Sequence, residues 1–427
     1  MITEIGRKST KDDPVFKEHH EKILSMRESL RQTINKHFDG MFWVFETCLS
    51  VKAQMLIDDI SLPFCLILVG NPSTNKSTVL DIIGSLPDCY KSDSFTPKAF
   101  VSHAANKSKD ELKRIDLLPK IRFKTLITSE MGTVFSVREE NLIEVFGILT
   151  RLLDGRGFRR DSGSQGSHGY SGNYYFTWLG AVVEIQPKVW RVMGNLGSKM
   201  YFLRITSEIE DQQEVIAKMK KLLNESHSLK IQECSKKIRE FWDCLSEWKN
   251  QFNDKIVWDS KSNDESTITN IAMLAQLVAK LRAVIPTIDT ENTSGSNYGY
   301  GIPIEENPNR AFQLLCNLAK GHAISCGRNF INSEDLSVIV WVALSSAPKE
   351  RTKLLKLLKN NFGKLNTLEV QDKLNVTKST AQKYMKQFEI LGFVKSSKDV
   401  GVSKPINGIE LKDQFKWLLK PEFDFEF

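Results

Sequence analysis

Residues 64–81 read F-C-L-I-L-V-G-N-P-S-T-N-K-S-T-V-L-D, and the fold turns on how they are interpreted. Phe64 to Val69 is a continuous apolar run, short enough for a strand buried on both faces and closed by Gly70. A small polar loop follows, made of Gly70, Asn71, Pro72, Ser73, Thr74 and Asn75. From Lys76-Ser77-Thr78 an amphipathic stretch predicts a helix over Thr78 to Leu86. Strand, loop, Lys-Ser and helix form the layout of a phosphate-binding loop. In that layout backbone N–H groups and the helix N-terminus hold phosphates, the lysine reaches the β/γ oxygens, and the hydroxyl ligates Mg²⁺. The regular pattern is G-x-x-x-x-G-K-[ST], and Asn75 stands at the second glycine. Asn tolerates left-handed backbone best after Gly, so the departure is a mild one. An ordinary strand–turn–helix with a chance Lys-Ser is the alternative.

The chain has 427 residues, which predicts two or three domains with room for a core. Hydrophobic content of 41% with 26% charged residues describes a soluble globular protein. No apolar run approaches the length of a membrane span, and the N-terminus has no signal-peptide core. The seven cysteines form no C-x-x-C pair and no His/Cys cluster with zinc spacing, so they predict reduced core thiols of a cytoplasmic protein. Net charge is +7 and unevenly placed. Residues 349–420 hold sixteen Lys/Arg against seven Asp/Glu, a surplus of nine, as a nucleic-acid-binding module would.

Residues 15–60 carry a helical pattern with no chemistry in it. A charged helix is expected over Lys107 to Leu118, then a strand over Ile121 to Ile127 ending T-S-E-M-G at 128–132. An acidic strand end about 50 residues after a phosphate loop is where a Walker B motif belongs. Glu130 is the candidate base that positions water. Ser129, where an Asp is usual, is a poorer partner for the Mg²⁺ water shell; an ordinary strand-end glutamate is the alternative. After a helix over Glu139 to Leu153 comes a long hairpin, with Arg156, Arg159 and Arg160 on its first arm, a Gly/Ser-rich tip, and Tyr174 to Leu179 on its second. The hairpin reads either as a surface loop or as an arm that tracks a nucleic-acid backbone.

The order of these parts, with L-T-R-L-L-D-G at 149–155 and W-R-V-M-G-N-L-G-S-K-M-Y-F-L-R-I at 190–205, resembles the AAA+ core of MCM-type helicases, closest to the compact ones of archaea and mobile elements. The resemblance implies ATP and Mg²⁺ as cofactors, DNA as partner and a homo-oligomeric, hexameric ring. It implies that Lys199 is the finger reaching a neighbouring subunit's nucleotide, with lysine where the family has arginine. The sensor-1 polar group would fall near Val183, with Thr177 a weak substitute. Helices over 268–285, 307–328 and 331–344 resemble the family's lid, and Arg310 maps onto its sensor-2 arginine.

The C-terminal part supplies a second signal. A helix over Lys353 to Phe362, a short capped helix at 366–375, a turn and a helix over Ser379 to Leu391 precede Gly392-Phe393-Val394 and a basic segment. That is the winged-helix arrangement, whose third helix enters the major groove. Lys378, Ser379, Thr380, Gln382, Lys383 and Lys386 would face DNA. A protein–protein role is the alternative.

The expected fold is therefore an α/β P-loop AAA+ core with a helical lid and a C-terminal winged-helix domain. The boundaries are an N-terminal helical segment at 1–60, the core at 61–207, linker and lid at 208–345, the winged helix at 349–404 and a tail at 405–427. The expected function is an ATP-driven DNA motor. Asn75, Ser129 and Val183 favour the runner-up, a nucleotide-gated DNA-binding switch with little hydrolysis. A third reading is an inactive scaffold with a relic loop.

Overall fold

The computed structural model describes residues 14–60, 62–102, 107–162, 166–197, 199–206, 226–250, 255–289, 298–399 and 406–424, with a few positions between 212 and 220. Helices α1 (Pro14–His37) and α2 (Phe42–Ala53) lead into strand β1 (Phe64–Val69) and helix α3 (Lys76–Ile83). Next come β2 (Cys89–Lys91), α4 (Lys109–Ile115), α5 (Leu117–Ile121), β3 (Thr125–Thr128), the short α6 (Gly132–Phe135) and α7 (Glu139–Leu152). A hairpin of β4 (Gly157–Ser162) and β5 (Gly166–Ser171) precedes β6 (Thr177–Val182), α8 (Pro187–Leu196) and β7 (Met200–Arg204).

The five core strands form one sheet in the order β2-β3-β6-β1-β7, and every pair is parallel. All six residues of β1 and of β6 are buried. This is why F-C-L-I-L-V does not alternate: a parallel strand covered by helices on both faces has no polar side. Leu66, Leu68, Leu179, Ala181, Tyr201 and Leu203 point to one face, with Val79, Leu80 and Ile83 of α3. Cys65, Ile67, Trp178, Val182 and Phe202 point to the other, against α5 to α8. The molecule is thus a helix–sheet–helix α/β sandwich around a parallel sheet.

Helices α9 (His227–Asn250), α10 (Glu265–Arg282), α11 (Pro308–Ser325) and α12 (Leu336–Ser345) follow, with a small ribbon of β8 (Thr287–Asp289) and β9 (Tyr298–Tyr300) between α10 and α11. Their buried residues, and those of α1 and α2, belong to the same cluster as the first sheet face. The segments expected at 1–60 and 208–345 therefore share a core with the sheet. Strand β7 is the sheet edge, and α12 covers it. The N–H groups of Phe202 and Arg204 donate to Ser346 Oγ at 2.8 Å and Ser345 Oγ at 3.1 Å. Arg282 Nη2 donates to Met200 O at 3.2 Å. An edge strand satisfied this way offers no ladder to another chain.

The C-terminal unit comprises α13 (Lys349–Asn360), β10 (Lys364–Asn366), α14 (Thr367–Leu374), α15 (Lys378–Ile390), β11 (Val394–Asp399) and β12 (Ile406–Leu411). Its antiparallel sheet has the order β10-β12-β11, so the strand in the middle lies within the residues expected to be a tail. Residues beyond 411 also pack inward: Phe415 meets Phe393 at 5.0 Å edge-on, and Phe423 is fully buried. Asn366 and Glu369 form a capping box on α14, and Asn375 ends it at φ +51°, left-handed. In α15, Ala381, Met385 and Phe388 are buried at i, i+4 and i+7, which fixes its outward face.

No helix among the described residues is long and apolar enough to cross a membrane.

Candidate functional site

The loop from Gly70 to Asn75 leaves the carboxyl end of β1, the edge of a parallel sheet where ligands collect. Gly70 is fixed by its N–H to Val182 O at 3.3 Å, and a Cβ there would lie 2.9 Å from both Ile205 O and Thr74 Oγ1. Only glycine fits. Asn75 adopts φ +58°, ψ +13°, the left-handed conformation for which Asn replaces Gly at little strain. Ser73 is also left-handed, at φ +67°. The Asn75 side chain makes no capping hydrogen bond, so the first N–H groups of α3 face outward without a side-chain acceptor.

Lys76 is buried, and its Nζ donates to Gly70 O at 2.7 Å, Asn71 O at 2.6 Å and Thr74 Oγ1 at 3.1 Å. All three partners are neutral. Burial pushes the ammonium below the ordinary lysine value, and the charge of Glu130 partly offsets that. Ser77 is exposed in the first turn, and Thr78 is half-buried.

Glu130 lies just past the end of β3, separated from β1 by β6. Two strand spacings put about 10 Å between the two strand ends, a gap the size of a phosphate, a cation and a water. Glu130 Oε1 accepts from Gly132 N at 2.6 Å, and a Cβ on Gly132 would meet that oxygen at 2.5 Å. Glycine at 132 is what allows the carboxylate to fold back. Ser129 is half-buried beside it. Ser77, Ser129 and Glu130 offer oxygen donors only, the set that suits Mg²⁺.

The other expected nucleotide contacts lie elsewhere. Thr177 begins β6 at the opposite edge of the sheet, and its Oγ1 sits 2.9 Å from Thr125 Oγ1 in the core, so it cannot sense a nucleotide at the loop. Val183 is exposed just after β6. Lys199 precedes β7, whose first residue pairs with Cys65 at the start of β1. The length of β1, about 16 Å, therefore separates Lys199 from the Gly70–Asn75 loop of its own chain. Lys199 is buried, donating to Thr150 O and, at 2.5 Å, to Asp154 Oδ1. Burial lowers its ammonium pKa, against the Asp154 hydrogen bond, which raises it. Arg310, in the first turn of α11, stands 3.6 Å from the same Asp154 oxygen, and Arg151 is 3.6 Å from the other. Asp154 had no role in the sequence reading, although it sits in the quoted L-L-D-G.

The hairpin also differs from expectation. Its second arm is Gly166–Ser171, inside the Gly/Ser-rich stretch, while Tyr174 to Leu179 leads into central strand β6. Gly169 lies against Phe158 O, 2.3 Å from where a Cβ would sit, so the glycines permit the pairing. Alternation sends Arg159 and Arg160 to opposite faces. Arg159 and Arg156 are exposed, whereas Arg160 is half-buried and reaches Val101 O at 3.5 Å. Asp116, between α4 and α5, docks the inner face. Its buried carboxylate accepts from Ser102 N at 2.9 Å, Ser102 Oγ at 2.5 Å, Tyr170 OH at 2.8 Å and His168 Nε2 at 3.0 Å. A single Asp between two short helices gave no sequence signal for this.

On α15, Lys378, Ser379, Gln382, Lys383 and Lys386 are exposed, and Thr380 is half-buried. The Ser379 and Thr380 hydroxyls each lie 3.0 Å from Thr377 Oγ1, and Lys386 pairs with Glu389 at 2.9 Å. Lys378 and Lys383 have no ion pair among the described residues.

No protein-family model matches the chain. A search of curated proteins likewise found no match.

Proposed function

We propose that this chain is an ATP-dependent DNA-binding ATPase, with an AAA+ core and a C-terminal winged helix, working as an MCM-like helicase or replication motor in a homo-oligomeric, hexameric ring. The observation that carries the reading is Lys76. It is a buried ammonium held only by neutral oxygens, at the uncapped N-terminus of a helix, across a strand-wide gap from a carboxylate. Phosphate oxygens in place of those carbonyls give charge-assisted hydrogen bonds. Ser77 and Ser129 would hold Mg²⁺, which supplies charge neutralisation at the β/γ oxygens when bound. Glu130 orients the attacking water and takes its proton as general base, once its bond to Gly132 opens. Gly70 to Thr78 form the cradle.

Lys199 and Arg310 lie too far from the loop of their own chain, so their part in nucleotide sensing would be played across a subunit interface. The exposed hairpin arginines Arg156 and Arg159, and the α15 face with Lys378 and Lys383, would carry DNA backbone contacts. The basic surplus of residues 349–420 supports that assignment.

The second reading, a nucleotide-gated DNA-binding switch, is favoured by two specific observations: Glu130 is tied to Gly132, and Lys199 is buried against Asp154. Turnover of ATP by the wild type and Lys76→Ala, with and without single-stranded and duplex DNA, separates the two. The motor requires DNA-stimulated hydrolysis that disappears in the variant. Tight ATP binding without turnover leaves the switch, and no ATP binding removes both.

A further inference from the structure

At the amino edge of the sheet, the turn from α5 into β3 carries a side chain that its backbone does not favour. Phe123 adopts φ +56°, the left-handed conformation in which a bulky residue is strained, and it is 44% exposed. Its N–H donates to Tyr175 O at 2.7 Å, and the Lys124 N–H donates to Ile121 O at 2.9 Å, so the turn is fixed on both sides. Glycine would make this turn without strain, and burial does not account for a phenyl ring there.

The ring begins a row. The Arg122 guanidinium lies 4.9 Å from the centre of the Phe123 ring and 5.1 Å from that of Tyr174, and its Nε donates to Asn173 O at 2.8 Å. Tyr174 stands 5.6 Å from Tyr170, and Tyr170 5.5 Å from His168, with the rings inclined at 48° and 74°. Flat groups therefore follow one another from the β3 turn onto the hairpin, and rings so inclined do not cover each other face to face. The far end is held from below, where the Tyr170 hydroxyl and His168 Nε2 bond to Asp116.

The row borders a cleft of about 340 Å³ between α4 and the hairpin. Lys113, Arg159, His168, Tyr170 and Tyr174 line it, and Asp110 is the one carboxylate among the lining residues. The charge nearby is one-sided. Lys113, Arg114, Lys120, Arg122 and Lys124 face only Asp116 within residues 113–124, and that acid is buried and already bonded. Rings interleaved with cations are the surface a single strand uses: bases stack on aromatic and guanidinium planes while the cations follow the phosphates. A duplex keeps its base faces inside its own stack, so exposed rings favour unpaired bases.

We propose that Phe123, Arg122, Tyr174 and Tyr170 form a stacking track for single-stranded DNA, with Lys113 and Arg159 on its phosphates. The inference rests on the reading of the chain as a DNA-binding ATPase. It adds that the DNA engaged at the amino edge is unpaired, whereas α15 takes duplex.

The test is fluorescence anisotropy of the full chain with labelled oligo(dT) and with a duplex of the same length. Phe123→Gly removes the ring and suits the left-handed turn, so its Tm should stay near that of the wild type. Oligo(dT) affinity should fall about tenfold in Phe123→Gly and in Tyr174→Ala, the loss of one stacked base in each, while duplex affinity stays within about twofold. Lys113→Ala should lower the salt slope for oligo(dT) by about 0.7. Unchanged oligo(dT) affinity in Phe123→Gly, or an equal loss for duplex, overturns the track and leaves the DNA-binding ATPase reading standing. A change of oligomeric state in Phe123→Gly with oligo(dT) affinity unchanged assigns the patch to a second copy of the chain, and also overturns the track. A wild type that binds neither nucleic acid removes the DNA-binding reading and the track with it.

Discussion

The two edges of the parallel sheet each hold a buried lysine, and the partners differ in kind. At the carboxyl edge Lys76 is surrounded by two carbonyls and a hydroxyl. At the amino edge Lys199 is paired with the Asp154 carboxylate, with Arg310 and Arg151 crowding the same acid. Burial lowers the pKa of both ammonium groups. An ammonium desolvated without a counter-ion gains most from an arriving anion, whereas one already neutralised gains least. On the proposed reading, an arriving phosphate would gain most at the carboxyl edge, whereas Lys199 at the amino edge is already paired within its own chain. The family resemblance implies a nucleotide role for both lysines, Lys76 within its own chain and Lys199 across a subunit interface, and their partners differ accordingly.

The largest effect that sharpens this contrast is at Glu130. If the gap beside Lys76 is a reaction site, Glu130→Gln should lower ATP turnover by about 100-fold or more while ATP binding is retained. Equal loss of binding would make Glu130 part of the cradle and not the base. A second buried charge is Asp116, whose carboxylate is held by backbone, hydroxyl and imidazole donors. Asp116→Ala leaves those donors unmatched and should destabilise the hairpin by about 2 kcal/mol, read as faster hydrogen exchange in β5. Burial alone would raise the Asp116 pKa, but the hydrogen bonds from Ser102, His168 and Tyr170 outweigh it and hold it below the ordinary 3.8. The docking contribution is thus fully present above that value and is lost as pH falls below it, through the native pKa. Hairpin exchange that is insensitive to pH in that window would remove Asp116 as the latch.

Smaller effects follow at the loop and on α15. Asn75→Val forces a β-branched residue into φ +58° and should weaken ATP binding by about 1–2 kcal/mol, whereas Asn75→Gly should change little. Equal affinities in the two variants would mean that the left-handed turn does not shape the cradle. On α15, Lys383→Ala should reduce the salt slope of DNA binding by about 1, and Lys386→Ala by less, because Glu389 already pairs with Lys386. Equal slopes would show that the pair opens on DNA.

The strand, loop and helix at 64–83 were legible because their signal is local. An apolar run, a glycine, Asn at a left-handed position and Lys-Ser lie within one stretch, and each has a backbone reason to be there. The C-terminal helices were legible for the same reason, through their caps and spacing. Their sheet was not: its middle strand, Ile406–Leu411, pairs with residues 364–366 as well as 394–399, where the sequence predicts a tail. The hairpin's second arm escaped because Gly and Ser have low strand propensity, whereas close cross-strand packing needs a glycine at 169. Asp154, Asp116 and the packing of Arg122 on Tyr174 depend on contacts between distant residues, which periodicity and spacing do not carry.

The most direct measurement is ATP titration, in parallel, of the wild type, Lys76→Ala and Lys199→Ala as dilute single chains. Affinity should fall about 10–100-fold in Lys76→Ala, the equivalent of losing charge-assisted bonds to phosphate, and stay within about twofold in Lys199→Ala. Equal affinity in all three, or a larger loss at Lys199, would contradict the assignment of the carboxyl edge as the nucleotide site.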